Sequence, residues 1–364
     1  MIYVEPAPYI LDLIRVIRAQ HPELQLKVLF ISSDISQTWN SRLDDGVSEL
    51  LPKRRLAASK KIVAEIHKGD FDWLHLAGWG HPLLMTALIT GTMFGRRISI
   101  ESDTQLPEVR RGWKWHVKEL FYPKLFSRIN LFLPGGTRQQ LYFRHFRVPE
   151  SKIRIARMTV DVSKIAALAT EVKKCREEIR LSIGLSKDDV VFVFVGRLEE
   201  HKGVALLVDA FCTLKSTNVQ LLVVGDGKCR ASVEEAAKTD PRIVFVGRRN
   251  FRGVVEAFAI SDVAVVPSTF EPWGLVVNEA MAVGLPVIVS ERVGCGDDLV
   301  KDGMNGLLIP AHDVAALVSA MQRLVDDVFL REQMGATGHK QISNWRLEDE
   351  AEIITTAWRE ILAA

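Results

Sequence analysis

Residues 190–197 read Val190-Val191-Phe192-Val193-Phe194-Val195-Gly196-Arg197, six apolar β-formers in a row stopped by a glycine and an arginine. A run this short, with no polar alternation, has the composition of a strand covered on both faces inside a parallel sheet. Further apolar runs follow at 219–224, 243–246, 263–266 and 286–289, separated by helical patterns at 204–214, 230–238, 251–260 and 276–283. A charged helical stretch at 164–181 precedes the first run. Strand and helix in alternation specify a parallel sheet with helices on both faces.

The same alternation occupies the first part of the chain. Apolar runs at 26–31, 73–76, 97–100 and 129–133, with Tyr3-Val4 before them, interleave with amphipathic stretches at 10–19, 50–67, 83–94 and 113–125. The fold class expected is α/β: two Rossmann-like domains facing a cleft. The boundary falls near residues 150–165, around Val148-Pro149-Glu150, which gives domains of 1–155 and 156–340. Residues 341–364 form a C-terminal helix, with a helical pattern over 345–362, that crosses back to the first domain. Open parallel sheets bind ligands beyond the carboxyl ends of their strands, so two such domains point to a nucleotide-type ligand.

Composition narrows the function. At 364 residues, 48% hydrophobic and 25% charged, the chain can fill two ordinary cores. No basic segment followed by an apolar run marks the N-terminus as a signal peptide, and no stretch has the roughly 18 apolar residues of a spanning helix. The four cysteines (Cys175, Cys212, Cys229, Cys295) form no CxxC pair and the nine histidines no ligand spacing, so neither a metal site nor a disulfide framework is expected, and the chain is assigned to the cytoplasm. Charge is uneven: residues 1–155 hold 23 Lys and Arg against 15 Asp and Glu, the remainder 24 against 30. Such asymmetry suggests different partners for the two domains.

The chemistry-bearing stretch is Phe270-Glu271-Pro272-Trp273-Gly274-Leu275-Val276-Val277-Asn278-Glu279-Ala280-Met281-Ala282, which follows an apolar strand and the turn Pro267-Ser268-Thr269. It reads as a loop carrying Glu271 and a helix, opened by Trp273, Gly274 and Leu275, that carries Glu279. The first N–H groups of a helix lack internal partners and, with the helix dipole, attract anions. Carboxylates accept strong hydrogen bonds from hydroxyl-rich ligands.

This stretch resembles the E-x7-E motif of the family 4 glycosyltransferases. The resemblance covers residues 156–340 and includes Gly196-Arg197-Leu198-Glu199-Glu200-His201-Lys202-Gly203, Val224-Gly225-Asp226-Gly227, Ser261-Asp262 with Pro267-Ser268, Gly284-Leu285-Pro286-Val287-Ile288, and residues 299–308. It implies a retaining, metal-independent transferase of the GT-B fold with no cofactor, whose nucleotide-sugar donor is a substrate. It implies that Arg197 and Lys202 bind the donor pyrophosphate and stabilise the leaving diphosphate, cations aimed where charge develops. It further implies that Glu271 contacts the transferred sugar and Glu279 the ribose, and that the backbone of Trp273–Leu275 cradles sugar and phosphate. Gly196 belongs to the same donor set; Gly225, Gly227 and the turn Gly247-Arg248 flank the base. The acceptor, a saccharide or lipid-linked saccharide of bacterial-type surface polysaccharide or glycolipid synthesis, falls to the N-terminal domain. Asp161 and Cys295 read as structural residues, and His201 as a loop residue. A sugar-nucleotide epimerase of the same fold and an inactive membrane-bound subunit are the rival readings.

The N-terminal half departs from the family. Where the family has a Gly-Gly loop after its first strand, this chain has Glu5-Pro6-Ala7-Pro8-Tyr9; Glu5 or Tyr9 faces the acceptor, or the segment is a rigid entry to the first helix. Where the family has a His-Asp-like pair after its fourth strand, the chain has Glu101-Ser102-Asp103-Thr104, so Asp103 or Glu101 is the candidate for orienting the acceptor hydroxyl. The segment Arg110-Arg111-Gly112-Trp113-Lys114-Trp115-His116-Val117-Lys118-Glu119-Leu120-Phe121-Tyr122-Pro123-Lys124 mixes cations with aromatics. It reads either as a helix that docks on the anionic inner face of a membrane or as one whose aromatics pack inward. Nucleic acid is not an expected partner, since no binding motif is present and net charge is only +2.

Overall fold

The structure is a computed structural model that describes residues 1–33, 43, 45–107 and 112–363. The chain divides into two compact units, one of residues 1–158 and 347–364, the other of residues 159–346.

The first unit begins β1 (Ile2–Tyr3), α1 (Pro8–Gln20), β2 (Val28–Phe30), β3 (Ser48–Leu50), α2 (Arg55–Lys68), β4 (Leu74–Ala77). It continues α3 (Pro82–Met93), β5 (Ile98–Ser102), α4 (Trp113–Phe126), β6 (Leu131–Pro134), α5 (Thr137–His145). Among the described residues the strands form one parallel sheet of order β3-β2-β1-β4-β5-β6. Pro8 opens α1, where a missing N–H costs nothing. Sequence reading merged β3 and α2 into one helix over 50–67, because Leu50 and Leu51 continue the helical period; Pro52 separates the two elements. It also ended β5 at Ile100, short of Glu101 and Ser102, which pair with Leu133 and Pro134.

The second unit runs α6 (Val162–Lys173), α7 (Arg176–Ser182), β7 (Val190–Val195), α8 (Val204–Thr213), β8 (Val219–Val224), α9 (Arg230–Thr239), β9 (Ile243–Gly247). Then come α10 (Phe251–Ala259), β10 (Val263–Val266), α11 (Leu275–Val283), β11 (Val287–Ser290), α12 (Gly296–Leu299), β12 (Gly306–Ile309), α13 (Val314–Asp326) and α14 (Val328–Ile342). Its parallel sheet has the order β12-β11-β10-β7-β8-β9. In each sheet the strand order thus reverses once, between β1 and β4 and between β7 and β10, the Rossmann order with its switch point. The helix expected over 164–181 is two helices, and Asp161 caps the first by accepting from Lys164 N at 2.9 Å.

The last helix, α15 (Leu347–Ala363), belongs to the first unit. Leu347, Ala351, Ile354 and Trp358 pack with Leu13 and Ile17 of α1 and with Leu131 and Leu133 of β6. Each leucine or isoleucine among them contributes about 1.5–3 kcal/mol on burial.

Candidate active site

In the second unit the candidate donor residues sit on the loops that leave the carboxyl ends of β7, β8, β9 and β10. Backbone bonds staple these loops together: Gly196 N donates to Val224 O at 3.1 Å, Leu198 N to Asp226 O at 2.9 Å, and Gly225 N to Gly247 O at 3.0 Å. The β7 and β8 loops approach so closely that a Cβ on Gly225, at φ +151°, would stand 1.9 Å from the carbonyl oxygen of Gly196. Arg197 and Arg248 are exposed at the tips of their loops.

The turn after β10 is tied to the β7 loop. Thr269 N donates to His201 O at 2.8 Å, and the Lys202 ammonium pairs with the Glu271 carboxylate. Both side chains are mostly buried. Glu271 is also held from the other side, its N donating to Arg292 O at 3.2 Å and its O accepting from Gly294 N at 2.9 Å. Lys202 and Glu271, 69 residues apart, therefore occupy one place at the switch point. Burial, then Lys202 and Arg197, pushes the His201 imidazole below its usual range, so His201 is a neutral neighbour of two cations.

Trp273, Gly274 and Leu275 were expected to open the helix. It starts at Leu275, with Gly274 as a left-handed N-cap at φ +101°. Trp273 lies outside the helix and is 1% exposed, its ring turned into the core and its carbonyl accepting from Cys295 N at 2.9 Å. Its Nε1 donates to Asn278 Oδ1 at 3.2 Å, and Asn278 Nδ2 donates to Thr159 Oγ1 at 3.3 Å. Cys295 is fully buried against Gly274, its Sγ 3.7 Å from the Gly274 oxygen. Glu279, one helical turn further on, is lifted by burial to about 7.

The first unit carries its own cavity of about 420 Å³ at the carboxyl ends of β1, β4 and β5, lined among others by Glu5, Tyr9, Trp79, Glu101, Asp103 and Glu350. Burial, then Asp103, Glu101 and Glu5, raises the Tyr9 hydroxyl. Both Glu101 and Asp103 reach the cavity, as does Tyr9 beside Glu5.

Beneath the cavity floor lies a network that sequence reading missed. His75 on β4 faces Ser99 on β5 directly across the sheet, and Glu101 follows Ser99 by two residues on the same face. His75 Nδ1 is 3.0 Å from Ser99 Oγ, and His75 Nε2 is 3.2 Å from Glu101 Oε2. Tyr3 donates to the same carboxylate oxygen at 3.3 Å, and Trp358 Nε1 donates to Ser99 Oγ at 3.0 Å. The available signal was polar: His75, Ser99 and Glu101 alternate with Leu74, Leu76, Ile98 and Ile100 within the strands.

The cationic aromatic segment splits. Its first residues, Arg110 and Arg111, lie outside the described residues. In α4, Trp115 and Tyr122 pack inward against Phe146. Trp113, Val117, Leu120 and Phe121 point out, with Trp113 and Leu120 each 73% exposed. Among the described residues no helix is long and apolar enough to cross a membrane, and no group of three or more His, Cys, Asp or Glu is placed to hold a metal ion.

Two parallel sheets of Rossmann order, each with polar residues gathered at its switch point, define a doubly wound α/β architecture in each unit. Residues 175–341 match the family profile "glycosyl transferases group 1". The D-inositol 3-phosphate glycosyltransferase of Corynebacterium diphtheriae is 30% identical over 305 residues, 80% of this chain and 68% of that protein. A UDP-Gal:alpha-D-GlcNAc-diphosphoundecaprenol alpha-1,3-galactosyltransferase of Escherichia coli is 29% identical over 63% of this chain and 58% of its own length. The crystal structure of Anabaena HepE in complex with UDP and glucose shares the fold at a TM-score of 0.77, with 18% identity over 99% of each chain. The chain belongs to the group 1 glycosyltransferases. It spans 51% to 68% of the length of such curated relatives, the lower figure being for a glycosyltransferase of Methanocaldococcus jannaschii.

Proposed function

We propose that this protein is a retaining, metal-independent glycosyltransferase that moves a sugar from a nucleoside-diphosphate sugar to a saccharide or lipid-linked saccharide. The observation that carries the reading is the Lys202–Glu271 pair, held at the second unit's switch point with Arg197 nearby. Arg197 and Lys202 neutralise the departing diphosphate in place of a metal ion. Glu271 holds the transferred sugar, Glu279 the ribose, and the backbone of Trp273, Gly274 and Leu275 the sugar and phosphate. Gly196, Gly225, Gly227 and Arg248 shape the seat of the base and pyrophosphate. The anomeric C–O bond to phosphate breaks and a bond to the acceptor oxygen forms on the same face, the leaving phosphate taking the hydroxyl proton.

Glu101 and Asp103 line the acceptor side, in the first unit. The outward face of α4, apolar and flanked by Lys114, Lys118 and Lys124, suits the anionic inner face of a membrane, where a lipid-linked acceptor is found. We infer a protein of the cytoplasm that works at the membrane surface in the synthesis of a surface polysaccharide or glycolipid. The supporting names are those of relatives that act on inositol phosphate and on a diphosphoundecaprenol-linked sugar.

A thermal-shift panel of nucleoside diphosphates and their sugars tests the reading, since a ligand that binds only the folded form raises the melting temperature. At least one diphosphate is expected to do so in the parent protein and to lose its effect in Lys202→Ala. No response to any of them overturns the proposal.

A further inference from the structure

His75 is buried to 1%, belongs to no motif of the family resemblance, and sits under a carboxylate that opens into a cavity. Burying an imidazole is unfavourable unless its nitrogens are bonded, and both are. The donors fix their direction. An indole N–H can only donate, so Ser99 Oγ receives Trp358. A carboxylate oxygen can only accept, so the proton of the neutral imidazole lies on Nε2, directed at Glu101 Oε2, and the bare Nδ1 accepts the Ser99 hydroxyl hydrogen.

The structure assigns His75 as a positioning residue, the middle of a chain Trp358–Ser99–His75–Glu101 that holds one oxygen of the Glu101 carboxylate and leaves the other for the acceptor hydroxyl. Tyr3 adds a second donor to the held oxygen. A carboxylate oxygen that already accepts two bonds does not swing towards its neighbours, so the hydroxyl meets a fixed acceptor. The chain starts on α15, so the C-terminal helix sets the rotamer of a residue in the cavity through bonds rather than by packing alone. This rests on the reading of Glu101 as an acceptor-side residue.

Two substitutions of one kind separate positioning from packing. In His75→Gln the side-chain amide reaches the place of Nε2 and still donates to Glu101; in His75→Asn it reaches only the place of Nδ1 and Ser99. Release of UDP from UDP-glucose, with water or an added sugar as acceptor, is expected to fall on the order of 100-fold in His75→Asn and to be largely kept in His75→Gln. The KM for UDP-glucose stays unchanged in both. Equal losses in the two variants would mean a packing role and overturn the assignment. If Glu101→Gln leaves turnover intact, the acceptor-side reading fails; if Glu101→Gln abolishes it while His75→Asn does not, the assignment alone fails. Nitrogen-15 NMR of the histidine rings in the full chain, with His75 identified by its absence from His75→Gln, decides the bonding without any substrate. A proton on Nε2 that moves in Glu101→Gln is expected, and a proton on Nδ1 alone overturns the chain whether or not UDP-glucose is turned over.

Discussion

The ammonium of Lys202 and the carboxylate of Glu271 form an ion pair across two loops of one sheet, both side chains largely shielded from water. Removing one partner takes from the other, itself partly buried, the opposite charge it faces, which costs more than the pair itself contributes. Lys202→Met and Glu271→Gln should each lower stability by about 1–3 kcal/mol, and the double variant by less than their sum. Urea unfolding of the four proteins measures this. Additive losses would show that the two groups do not interact in solution.

Gly225 fixes the approach of the β8 loop to the β7 loop. A methyl group there meets a backbone oxygen at 1.9 Å, and no side-chain rotation relieves it. Gly225→Ala is expected to cost about 1–3 kcal/mol, the usual range for overpacking, and to abolish any thermal shift by nucleoside diphosphates. Gly303, with nothing within 4 Å of an added Cβ, is the comparison: its φ of +74° makes Ala unfavourable, but without displacing a loop of the site. Equal effects on nucleotide response at the two positions would remove the close approach as the cause.

Glu279 gives a pH dependence of definite sign. Burial lifts its carboxyl from 4.5 to about 7, so the folded form holds a proton more tightly than the unfolded chain. The corresponding stability is fully present below pH 4.5 and is lost as pH rises through 7. Glu279→Gln does not ionise. Relative to the parent it should gain about 2–3 kcal/mol between pH 5 and pH 8, read from urea unfolding at both values. Parallel pH profiles would show that the carboxyl is well solvated.

The outward face of α4 predicts binding to vesicles. Trp113, Val117, Leu120 and Phe121 recur at the spacing of one helical face, and Phe121 is 59% exposed. Sedimentation with anionic vesicles at low salt should retain the parent protein. The double variant Leu120→Glu, Phe121→Glu should lose most of that binding while its nucleotide response is kept. Failure of the parent to sediment would discount the membrane reading and leave the donor site untouched.

What the sequence determined by itself was local or ordered along the chain. The composition of 190–195 requires a strand covered on both faces, and β7 is buried over nearly its whole length. Gly225, Gly227, Glu271 and Glu279 could be singled out because they stand in short ordered motifs that resemble those of the family 4 glycosyltransferases. Tertiary structure alone decided which of them meet. Lys202 finds Glu271 because β7 and β10 are neighbours in the sheet, which no spacing of 69 residues announces. It also turned the Trp273 ring into the core, where Asn278 satisfies its N–H, although the sequence suits either an exposed or a buried ring. His75, Ser99 and Trp358 escaped notice for the same reason: 24 residues separate the first two and 259 the last two. A polar residue in a buried strand is stable only when its partner arrives, and which partner arrives is set by strand register and by the return of α15, both products of the packed core.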